Sequence, residues 1–535
     1  MKKIVTCEQM KYLDQQTFDR FHLPSIVLME RASLRVFEFV KDKYRNRSKE
    51  KILVVCGSGN NGGDGIAVAR LLYLAGYQVS CFLAGTIEKM TEQTMIQYRC
   101  ASEYGVPFVD HMESKAYTIV IDAVFGVGLS RCISGKYHSI LKEMNEMSAL
   151  KIAVDIPSGI NGDTGEIMGI AFKADYTITF AFQKQGLCMY PAKMYAGEII
   201  VSDIGIYDCE DRIHKYQLES TDLANIPKRM EFGNKGTFGK ILILAGSEGM
   251  SGAAYLCALA AFHAGAGMVL VHTAESNRII LQTLLPEAMI SCDFSENEYR
   301  RLYNWCDCIV IGPGLGMKQA AQDHMDSYLT LNKNEQKPMI IDADGLNLLA
   351  MKPDWQKELH KNVIVTPHVG EMAKLTGKSI PEIKNSFIQS AADYSVKHHL
   401  TCVLKDAVTV ISGRTINKQD ESEQNVIYLN TETNPGLATA GSGDVLSGTI
   451  AGVIGCFLSE YHGLDEKSDY DGSEYKIQRR SMEELNHLLT KAAAYGVLLH
   501  SVGGKAAVQK CGQRSMKARD ILEGICECLK NEEMK

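Results

Sequence analysis

Short apolar runs alternate with helical patterns along this chain, and the alternation starts twice. Runs typical of strands occupy, in the first half, residues 51–57, 77–85, 117–126, 151–159 and 175–181. A second set occupies residues 240–247, 267–273, 307–314, 338–345, 362–368 and 401–407. This rhythm is typical of parallel sheets covered by helices on both faces. The sequence therefore predicts an α/β protein with two domains.

The segment between the two sets, residues 213–236, is polar and lacks a core pattern. A chain of 535 residues exceeds what one core usually holds, so we place the boundary between two domains in this segment. The predicted domains are 1–215 and 236–535, with a linker at 216–235. A polar, acidic tract at 459–484 is interpreted as a surface insertion between two helices.

Composition excludes several classes of protein. The net charge of −7 provides no basic surface for nucleic acid, and the first residues lack the apolar segment of a signal peptide. The longest apolar run, near 448–458, is too short to span a bilayer and predicts a buried helix instead. The 16 cysteines are scattered without zinc-site spacing, so we expect reduced, mostly buried thiols in a cytoplasmic protein with no membrane partner.

A glycine-rich loop, GSGNNGGDG at 57–65, joins the first of these strands to a helix. It matches G-x-G-x-x-G, but the next strand ends without the acid that binds ribose in dinucleotide-dependent dehydrogenases. Its backbone N–H groups can converge on an anion, and its Asn and Asp oxygens can bind a hard cation. The alternative is a plain strand–turn–helix with capping side chains.

Three later loops of the first half carry polar side chains after strands. Because parallel strands end on one edge of a sheet, Asp122, Asp155 and Lys184 can converge with the glycine-rich loop. Two carboxylates and a lysine suit acid–base chemistry or cation binding, and we predict Asp155 as a base with Lys184 as its partner. Alternatively, each acid only caps the turn that follows it.

The motifs GSGNNGGDG, DAVFGVGLSR, AVDIPSG and F-x-x-x-K-x-G together resemble the YjeF N-terminal domain, the NAD(P)H-hydrate epimerase family, over nearly all of residues 1–210. The resemblance implies a Rossmann-like three-layer α/β/α sandwich. It implies a potassium ion held by Asn61, Asp122 and Ser158. The residues that it places on the damaged dinucleotide are Asn60, Asn61, Gly62, Gly63, Asp64, Gly126, Val127, Gly128, Leu129, Ser130, Arg131, Cys132 and Asp155.

In the second half, the stretch NPGLATAGSGDVLSG at 434–448 precedes an apolar helix. Such a glycine turn presents bare N–H groups to a phosphate at a helix N-terminus. Asp444 would repel that phosphate unless it acts as a base on a hydroxyl that attacks the phosphoryl group, so we predict it as catalytic. The alternative is a helix N-cap.

The motifs GTFGKILILAGSEGMSGAA, GPGLG, DADGLN, TPHVGEM and GSGD resemble the ribokinase-like superfamily. The resemblance is greatest to the YjeF C-terminal domain, an ADP- or ATP-dependent NAD(P)H-hydrate dehydratase, from about residue 225 to the end. It implies a ribokinase-like α/β/α domain. The implied contacts to the hydrate are Ala253, Gly316, His368 and Asp444. Those to the adenine nucleotide are Lys405, Asp406, Ala407, Val408, Thr409 and Gly443, although Asp406 and Val408 stand where the family often has small residues.

The two resemblances imply a metabolite-repair enzyme. The first domain would epimerise the R and S hydrates of NADH and NADPH, and the second would dehydrate the S hydrate at the expense of ADP, giving AMP and phosphate. Mg²⁺ would accompany ADP to neutralise phosphoryl charge. We expect a homo-oligomer with small-molecule partners only. Two alternatives stay open: a vitamin-precursor kinase in the second half, and a non-catalytic dinucleotide sensor in the first.

Overall fold

The structure is a computed structural model that describes residues 1–46, 49–113, 117–231, 233–416, 423–466 and 482–533. The chain divides into two compact units, Lys2–Lys215 and Tyr216–Lys535, the latter together with Met1. The domain limits at 215 and 236 given above stay predictions. The acidic tract predicted at 459–484 falls in part outside the described residues, which exclude 467–481.

The first unit is built around a parallel sheet with the strand order β4-β3-β2-β5-β6-β7-β9, beside a separate parallel pair of β1 and β8. Its strands are β1 (Lys2–Val5), β2 (Lys51–Cys56), β3 (Gln78–Leu83), β4 (Phe108–Val109), β5 (Ile119–Ala123), β6 (Leu150–Val154), β7 (Tyr176–Phe180), β8 (Gln183–Lys184) and β9 (Glu198–Ser202). Its helices are α1 (Cys7–Phe21), α2 (Ser25–Lys43), α3 (Asn60–Leu74), α4 (Glu92–Glu103), α5 (Gly135–Glu146) and α6 (Lys193–Ala196).

The central strand β2 shows how the layers of this unit form. Ile52 and Val54 pack into one hydrophobic cluster, whereas Leu53 and Val55 pack into another. Successive side chains of a strand point to opposite faces, so an unbroken apolar run needs helices on both sides. The three-layer α/β/α arrangement follows from that pattern.

The second unit has the strand order β13-β12-β11-β14-β15-β16-β17-β18-β19. Pairing is parallel as far as β17 and antiparallel for β18 and β19. Its strands, after β10 (Lys215–Gln217) at the boundary, are β11 (Lys240–Leu244), β12 (Met268–His272), β13 (Met289–Ser291), β14 (Cys308–Ile311), β15 (Met339–Ile341), β16 (Val363–Val365), β17 (Thr401–Lys405), β18 (Thr409–Ile416) and β19 (Glu423–Asn430).

The helices of the second unit follow the same alternation until β17. They are α7 (Ser251–His263), α8 (Arg278–Leu284), α9 (Glu296–Trp305), α10 (Gln319–Glu335), α11 (Asp344–Met351), α12 (Val369–Thr376), α13 (Ile380–Asn385), α14 (Phe387–His398), α15 (Ser442–Glu466), α16 (Met482–Cys511) and α17 (Ala518–Glu533). The predicted α/β class is confirmed. The antiparallel strands β18 and β19 were not predicted, because glycine and polar residues interrupt their apolar pattern.

Helix α15 carries the apolar run that follows the second glycine turn. Within the described residues, its stretch Ser442–Glu460 is long and apolar enough to cross a membrane by length and composition, but 89% of this apolar part is buried inside the protein. The helix is thus buried, as predicted, although its apolar part extends beyond 448–458. It packs closely on α7, since a Cβ on Gly448 would lie 2.0 Å from the Cys257 carbonyl oxygen.

Candidate active sites

A cleft of about 560 Å³ lies in the first unit, among the loops that follow β2, β5 and β6. Lys184 also lines it, and so do eight of the residues predicted to contact a dinucleotide, namely Asn60, Asn61, Asp64, Gly126, Val127, Gly128, Leu129 and Asp155. Gly62 and Gly63 are buried. Ser130, Arg131 and Cys132 are exposed and are not among the residues that line the cleft.

Asp155 has its backbone in the left-handed region, with φ of 67°, which side chains other than glycine rarely adopt. Its Oδ1 accepts hydrogen bonds from the Thr179 hydroxyl at 3.1 Å, the Phe180 N–H at 3.3 Å and the Lys184 ammonium at 2.5 Å. Oδ2 has no hydrogen-bond partner among the described residues. One oxygen of this carboxylate is therefore anchored, while the other remains available in the cleft that Asp155 lines.

Lys184 is almost fully buried, with 1% of its surface exposed, at the end of the short strand β8. Its ammonium donates to Asp155 Oδ1, to the Thr179 hydroxyl at 3.0 Å and to the Phe180 carbonyl oxygen at 2.9 Å. An ammonium has three protons, and these three bonds use all of them. Lys184 therefore fixes the carboxylate and offsets its charge, but it has no proton left for a ligand.

Helix α1 contributes an acid that the sequence analysis missed. Met10, Asp14 and Phe18, spaced four residues apart, all line the cleft, so one face of α1 forms part of its wall. Burial raises the pKa of Asp14 to about 6, with the nearby Lys184 charge opposing and the Asp155 charge adding to the shift. The available signal was a carboxylate at a position where the helical pattern favours an apolar residue.

Asp64, the fifth residue of α3, is a second carboxyl group on the cleft. Burial, together with the charges of Asp155 and Asp14, raises its pKa well above the usual range of a carboxyl group. Three acids and one buried lysine thus share this cleft, and the lysine is paired to Asp155 alone.

The glycines of the 57–65 loop have close neighbours within the chain itself. A Cβ on Gly57 would lie 2.1 Å from the Val124 carbonyl oxygen, and one on Gly62 would lie 1.9 Å from the Gly57 carbonyl oxygen. Neither glycine has a positive φ. These two glycines are therefore required by the tight packing of the loop and α3 against neighbouring backbone, independently of any ligand.

Asp122 and Ser158, two of the three predicted potassium ligands, are in direct contact and fully buried. Asp122 Oδ1 accepts from the Ser158 hydroxyl at 2.7 Å, and Oδ2 accepts from the Ser158 N–H at 2.7 Å. The Phe125 carbonyl oxygen lies 3.3 Å from the same hydroxyl. The side-chain amide nitrogen of Asn61, the third residue, is buried without a partner. Asn61 lies beside Gly126 in the neighbouring loop.

In the second unit, Asp444 lies in the first turn of α15, three residues after Gly441, whose φ is 87°. No hydrogen bond to its carboxyl group is formed within the described residues. Burial raises the pKa of Asp444 to about 6, and the charge of Asp342 is the second cause of this rise. The charge of Lys405 opposes the shift. Asp444 is thus a half-buried carboxyl group at a helix N-terminus that does not act as a cap.

Lys405 and Asp342 form an ion pair beside this turn. The Lys405 ammonium lies 3.0 Å from Asp342 Oδ1, and the Ser447 hydroxyl donates to Asp342 Oδ2 at 2.6 Å. Burial alone would raise the pKa of Asp342, but Lys405 and Ser447 outweigh it and hold that pKa below its usual value. Gly443 lies next to this pair, since a Cβ there would be 3.8 Å from both groups.

The residues predicted to contact the adenine nucleotide at 405–409 form the turn between β17 and β18, in which Lys405 pairs with Thr409. Asp406 is exposed and forms an ion pair with Lys384 at 3.4 Å. Ala407 is also exposed, whereas Val408 is buried. The turn therefore offers mainly its backbone and the Thr409 side chain to a ligand.

His368 is the N-cap of α12, where its Nδ1 accepts from the Gly370 N–H at 2.9 Å. Burial and the Lys405 charge lower its pKa, which agrees with an unprotonated, accepting nitrogen. Its Nε2 lies 3.5 Å from Glu371, whose pKa burial raises to about 7. Residue 368 also bridges to Lys405 in backbone pairing, so the histidine lies beside the Asp342–Lys405 pair.

Gly316 lies in the loop after β14, and Ala253 lies in the first turn of α7, beside the same loop. The Gly316 N–H donates to Asp344 Oδ2 at 2.8 Å, and a Cβ on Gly316 would lie 3.4 Å from the Ser247 hydroxyl. Ala253 lies beside Gly314, because a Cβ on Gly314 would be 2.9 Å from the Ala253 methyl. Asp344 in turn adds to the charge felt by Asp444. The loop after β14 thus lies beside Ala253 and, through Asp344, near Asp444.

Together, a parallel sheet in the first unit, a mostly parallel sheet in the second and the glycine-rich loops at helix N-termini define a two-domain α/β protein of the class that binds nucleotides. Residues 25–186 match the family described as YjeF-related protein N-terminus, and residues 241–526 match the family described as NAD(P)H-hydrate dehydratase.

Known proteins resemble the whole chain and each half. The bifunctional NAD(P)H-hydrate repair enzyme Nnr of Thermofilum pendens is 31% identical over 99% of this chain and 96% of its own. The NAD(P)H-hydrate epimerase of Oenococcus oeni is 45% identical over 38% of this chain and 97% of its own. An ADP/ATP-dependent NAD(P)H-hydrate dehydratase of Bacillus subtilis, solved with ATP/Mg²⁺, is 25% identical, with a TM-score of 0.45, over 59% of this chain and 98% of that one. The chain belongs to the family of bifunctional NAD(P)H-hydrate repair enzymes.

Proposed function

We propose that the first unit interconverts the R and S hydrates of NADH and NADPH, and that the second dehydrates the S hydrate at the expense of ADP, giving AMP and phosphate. One observation carries this proposal: each unit has a carboxyl group close to a glycine-rich loop, Asp155 in the first unit and Asp444 in the second. Each of these carboxyl groups has an oxygen without a hydrogen-bond partner among the described residues. Family membership supports the same pair of activities.

In the epimerase unit, the group to be inverted is the hydroxyl-bearing carbon beside the ring nitrogen. Inversion requires the ring, or the bond to oxygen, to open and to close again on the other face. Asp155 Oδ2 would accept the hydroxyl proton and return it, while Lys184, bonded to Oδ1, keeps the carboxylate in place. The dinucleotide would lie along the loops at 60–64 and 126–132.

The same unit would hold potassium at Asn61, Asp122 and Ser158. A carboxylate, a hydroxyl and the Phe125 carbonyl oxygen already lie close together there, and oxygen atoms are the ligands that hard cations prefer. The buried Asn61 amide lacks a partner, and a rotated amide would present its oxygen instead. The donor set therefore fits the ion, which would order the loops around the dinucleotide.

In the dehydratase unit, Asp444 would accept the proton of the substrate hydroxyl. The hydroxyl oxygen would attack the β-phosphorus of ADP, and AMP would leave. The lone pair of the ring nitrogen then expels phosphate from the carbon, and loss of a proton from the adjacent carbon restores the ring double bond. Ala253, Gly316 and His368 would contact the hydrate. The turn at 405–409 and the backbone of Gly443 would contact the nucleotide.

Mg²⁺ would bind together with ADP and neutralise charge on the phosphoryl oxygens. Within the described residues, no group of three or more His, Cys, Asp or Glu side chains is arranged to hold a metal ion. Magnesium usually keeps several waters and binds through one or two carboxylates plus phosphates, so a site with few protein ligands suits a nucleotide-bound ion. Asp344 would be one such carboxylate and would bind the ion through Oδ1, because its Oδ2 accepts from the Gly316 N–H.

The proposal is tested by mixing the purified protein with hydrated NADH and ADP and following the absorbance of reduced nicotinamide. We expect absorbance to return with release of one phosphate per NADH, whereas a vitamin-precursor kinase would retain the phosphate on its product. Comparing ADP with ATP decides the donor. Interconversion of separated epimers without nucleotide distinguishes an epimerase from a non-catalytic dinucleotide sensor.

We also propose a cytoplasmic setting and a homo-oligomer. All 16 cysteines are free, and half of them are buried, which suits a reducing compartment. Light scattering of the purified full chain tests the oligomeric state, and fractionation of the source cells tests the compartment.

A further inference from the structure

Epimerisation through ring opening needs an acid as well as a base. When the hydroxyl loses its proton and becomes a carbonyl, the bond from that carbon to the ring nitrogen breaks, and the nitrogen receives the electron pair. A proton delivered to the nitrogen completes the opening. Asp155 supplies the base, but the three protons of Lys184 are held by Asp155, Thr179 and Phe180. The acid must therefore come from another group on the cleft.

Two other carboxyl groups line this cleft, Asp14 on α1 and Asp64 on α3. Neither makes a side-chain hydrogen bond within the described residues. Asp14 lies between Met10 and Phe18 on the cleft-facing side of α1, whereas Asp155 follows β6 at the edge of the sheet. A helix and a sheet edge thus place two carboxyl groups on the same cavity: Asp155 is anchored in an ion pair with Lys184, and Asp14 lies between two apolar residues of its own helix face.

The charges in the cleft also favour Asp14 over Asp64 as a proton donor that regains its proton in each catalytic cycle. The charged groups that face Asp14 are Asp64, Asp155 and Lys184, with Lys11 on its own helix. Burial raises the pKa of Asp14 to about 6, whereas burial and the charges of Asp155 and Asp14 raise the pKa of Asp64 well above its usual range. A proton donor works best when its pKa lies near the working pH.

We propose that Asp14 is the proton donor of the epimerase reaction, acting on the ring nitrogen opposite the base Asp155; this rests on the epimerase function proposed above. Asp155 takes the hydroxyl proton, the oxygen electrons form the carbonyl, the carbon–nitrogen bond breaks, and the Asp14 proton goes to nitrogen. After rotation about the adjacent carbon–carbon bond, nitrogen attacks the other carbonyl face. Each carboxyl group then recovers its original protonation state, so no atom or electron is gained or lost.

The test compares Asp14→Asn, Asp14→Glu and Asp19→Asn in the full chain. Asp19 is an exposed carboxylate on the same helix, bonded only to Gln15 among the described residues, so Asp19→Asn matches the charge change away from the cleft. Conversion of the separated R hydrate to S, without nucleotide, is followed by chromatography and corrected for spontaneous epimerisation. We expect Asp14→Asn to lower kcat by about 10²–10⁴-fold with little change in KM. Asp14→Glu should recover part of the lost kcat, and Asp19→Asn should have the kcat and KM of the unmutated protein.

The pH profile separates proton donation from a structural role. Because the donor must be protonated, kcat/KM of the unmutated protein should fall as pH rises through about 6, and this limb should disappear in Asp14→Asn but persist in Asp19→Asn. An Asp14→Asn variant with near-normal kcat, or with the same limb, overturns the proposal. A rise in KM alone also overturns it, because it assigns Asp14 to binding. If the unmutated protein does not interconvert the epimers, the proposed function fails instead.

Discussion

The Lys184 ammonium lies 2.5 Å from Asp155 Oδ1 and also donates to the Thr179 hydroxyl and the Phe180 carbonyl oxygen. All three ammonium protons of the lysine are therefore used, and Oδ2 is the oxygen of Asp155 that has no partner among the described residues. The backbone of Asp155 is strained, with φ of 67°, and the bonds to its Oδ1 hold the side chain in place. This geometry supports the proposed role of Asp155 as the base, with Lys184 as its positioning partner rather than a proton donor.

Asp155→Asn should abolish epimerisation without affecting dehydration of the S hydrate. The amide keeps the shape of the side chain but accepts no proton, so the epimerase rate should fall by about 10²–10⁴-fold. Starting from mixed epimers, recovery of NADH with ADP should stall once the S form is consumed, apart from slow spontaneous epimerisation. Asp110→Asn, a change at an exposed carboxylate of the same unit, is the matched control. Full recovery at the unmutated rate would show that Asp155 is not the base.

Lys184→Met should destabilise the first unit. Removing one partner of a buried ion pair leaves an uncompensated charge and typically costs about 3–5 kcal/mol. The double variant Asp155→Asn/Lys184→Met should recover part of that loss, because no buried charge remains, yet stay inactive as an epimerase. Chemical denaturation of the single and double variants measures both effects. Equal stability of Lys184→Met and the unmutated protein would contradict a structural ion pair.

Asp444→Asn should abolish nucleotide-dependent return of NADH from the S hydrate, while epimerisation persists. For the unmutated protein, dehydratase kcat/KM should fall as pH drops through about 6, because the base must be deprotonated and burial raises its pKa to about that value. Asp354→Asn, at an exposed carboxylate of the second unit, should leave both rates unchanged. Near-normal dehydration by Asp444→Asn would reduce this residue to a structural role.

Ser158→Ala should weaken monovalent cation binding in the first unit. The hydroxyl is bonded to Asp122 Oδ1 and lies next to the Phe125 carbonyl oxygen, so its loss removes one of the proposed oxygen ligands and loosens another. Anomalous scattering from crystals soaked in rubidium or thallium should mark the site in the unmutated protein and show reduced occupancy in the variant. A substrate-bound crystal without density at Asn61, Asp122 and Ser158 would count against potassium.

The order of strands and loops was readable from the sequence because each depends on local pattern. Apolar runs predicted the parallel strands, and the rule that parallel strands end on one edge predicted that Asp122, Asp155 and Lys184 would lie near the glycine-rich loop. The antiparallel strands β18 and β19 were missed, because Gly413 and neighbouring polar residues weaken their apolar pattern. Family membership, carried by motifs with fixed spacing, was also identified correctly.

The sequence by itself thus determined the two α/β units, their glycine-rich loops and the carboxyl groups nearby. Only the tertiary structure decided which atoms of those groups stay free. Lys405 is paired with Asp342, 63 residues away, and Asp14 lines a cleft with Asp155, far along the chain. Burial and hydrogen bonding between distant segments set the charge and the available protons of each group, and no local pattern encodes these partners.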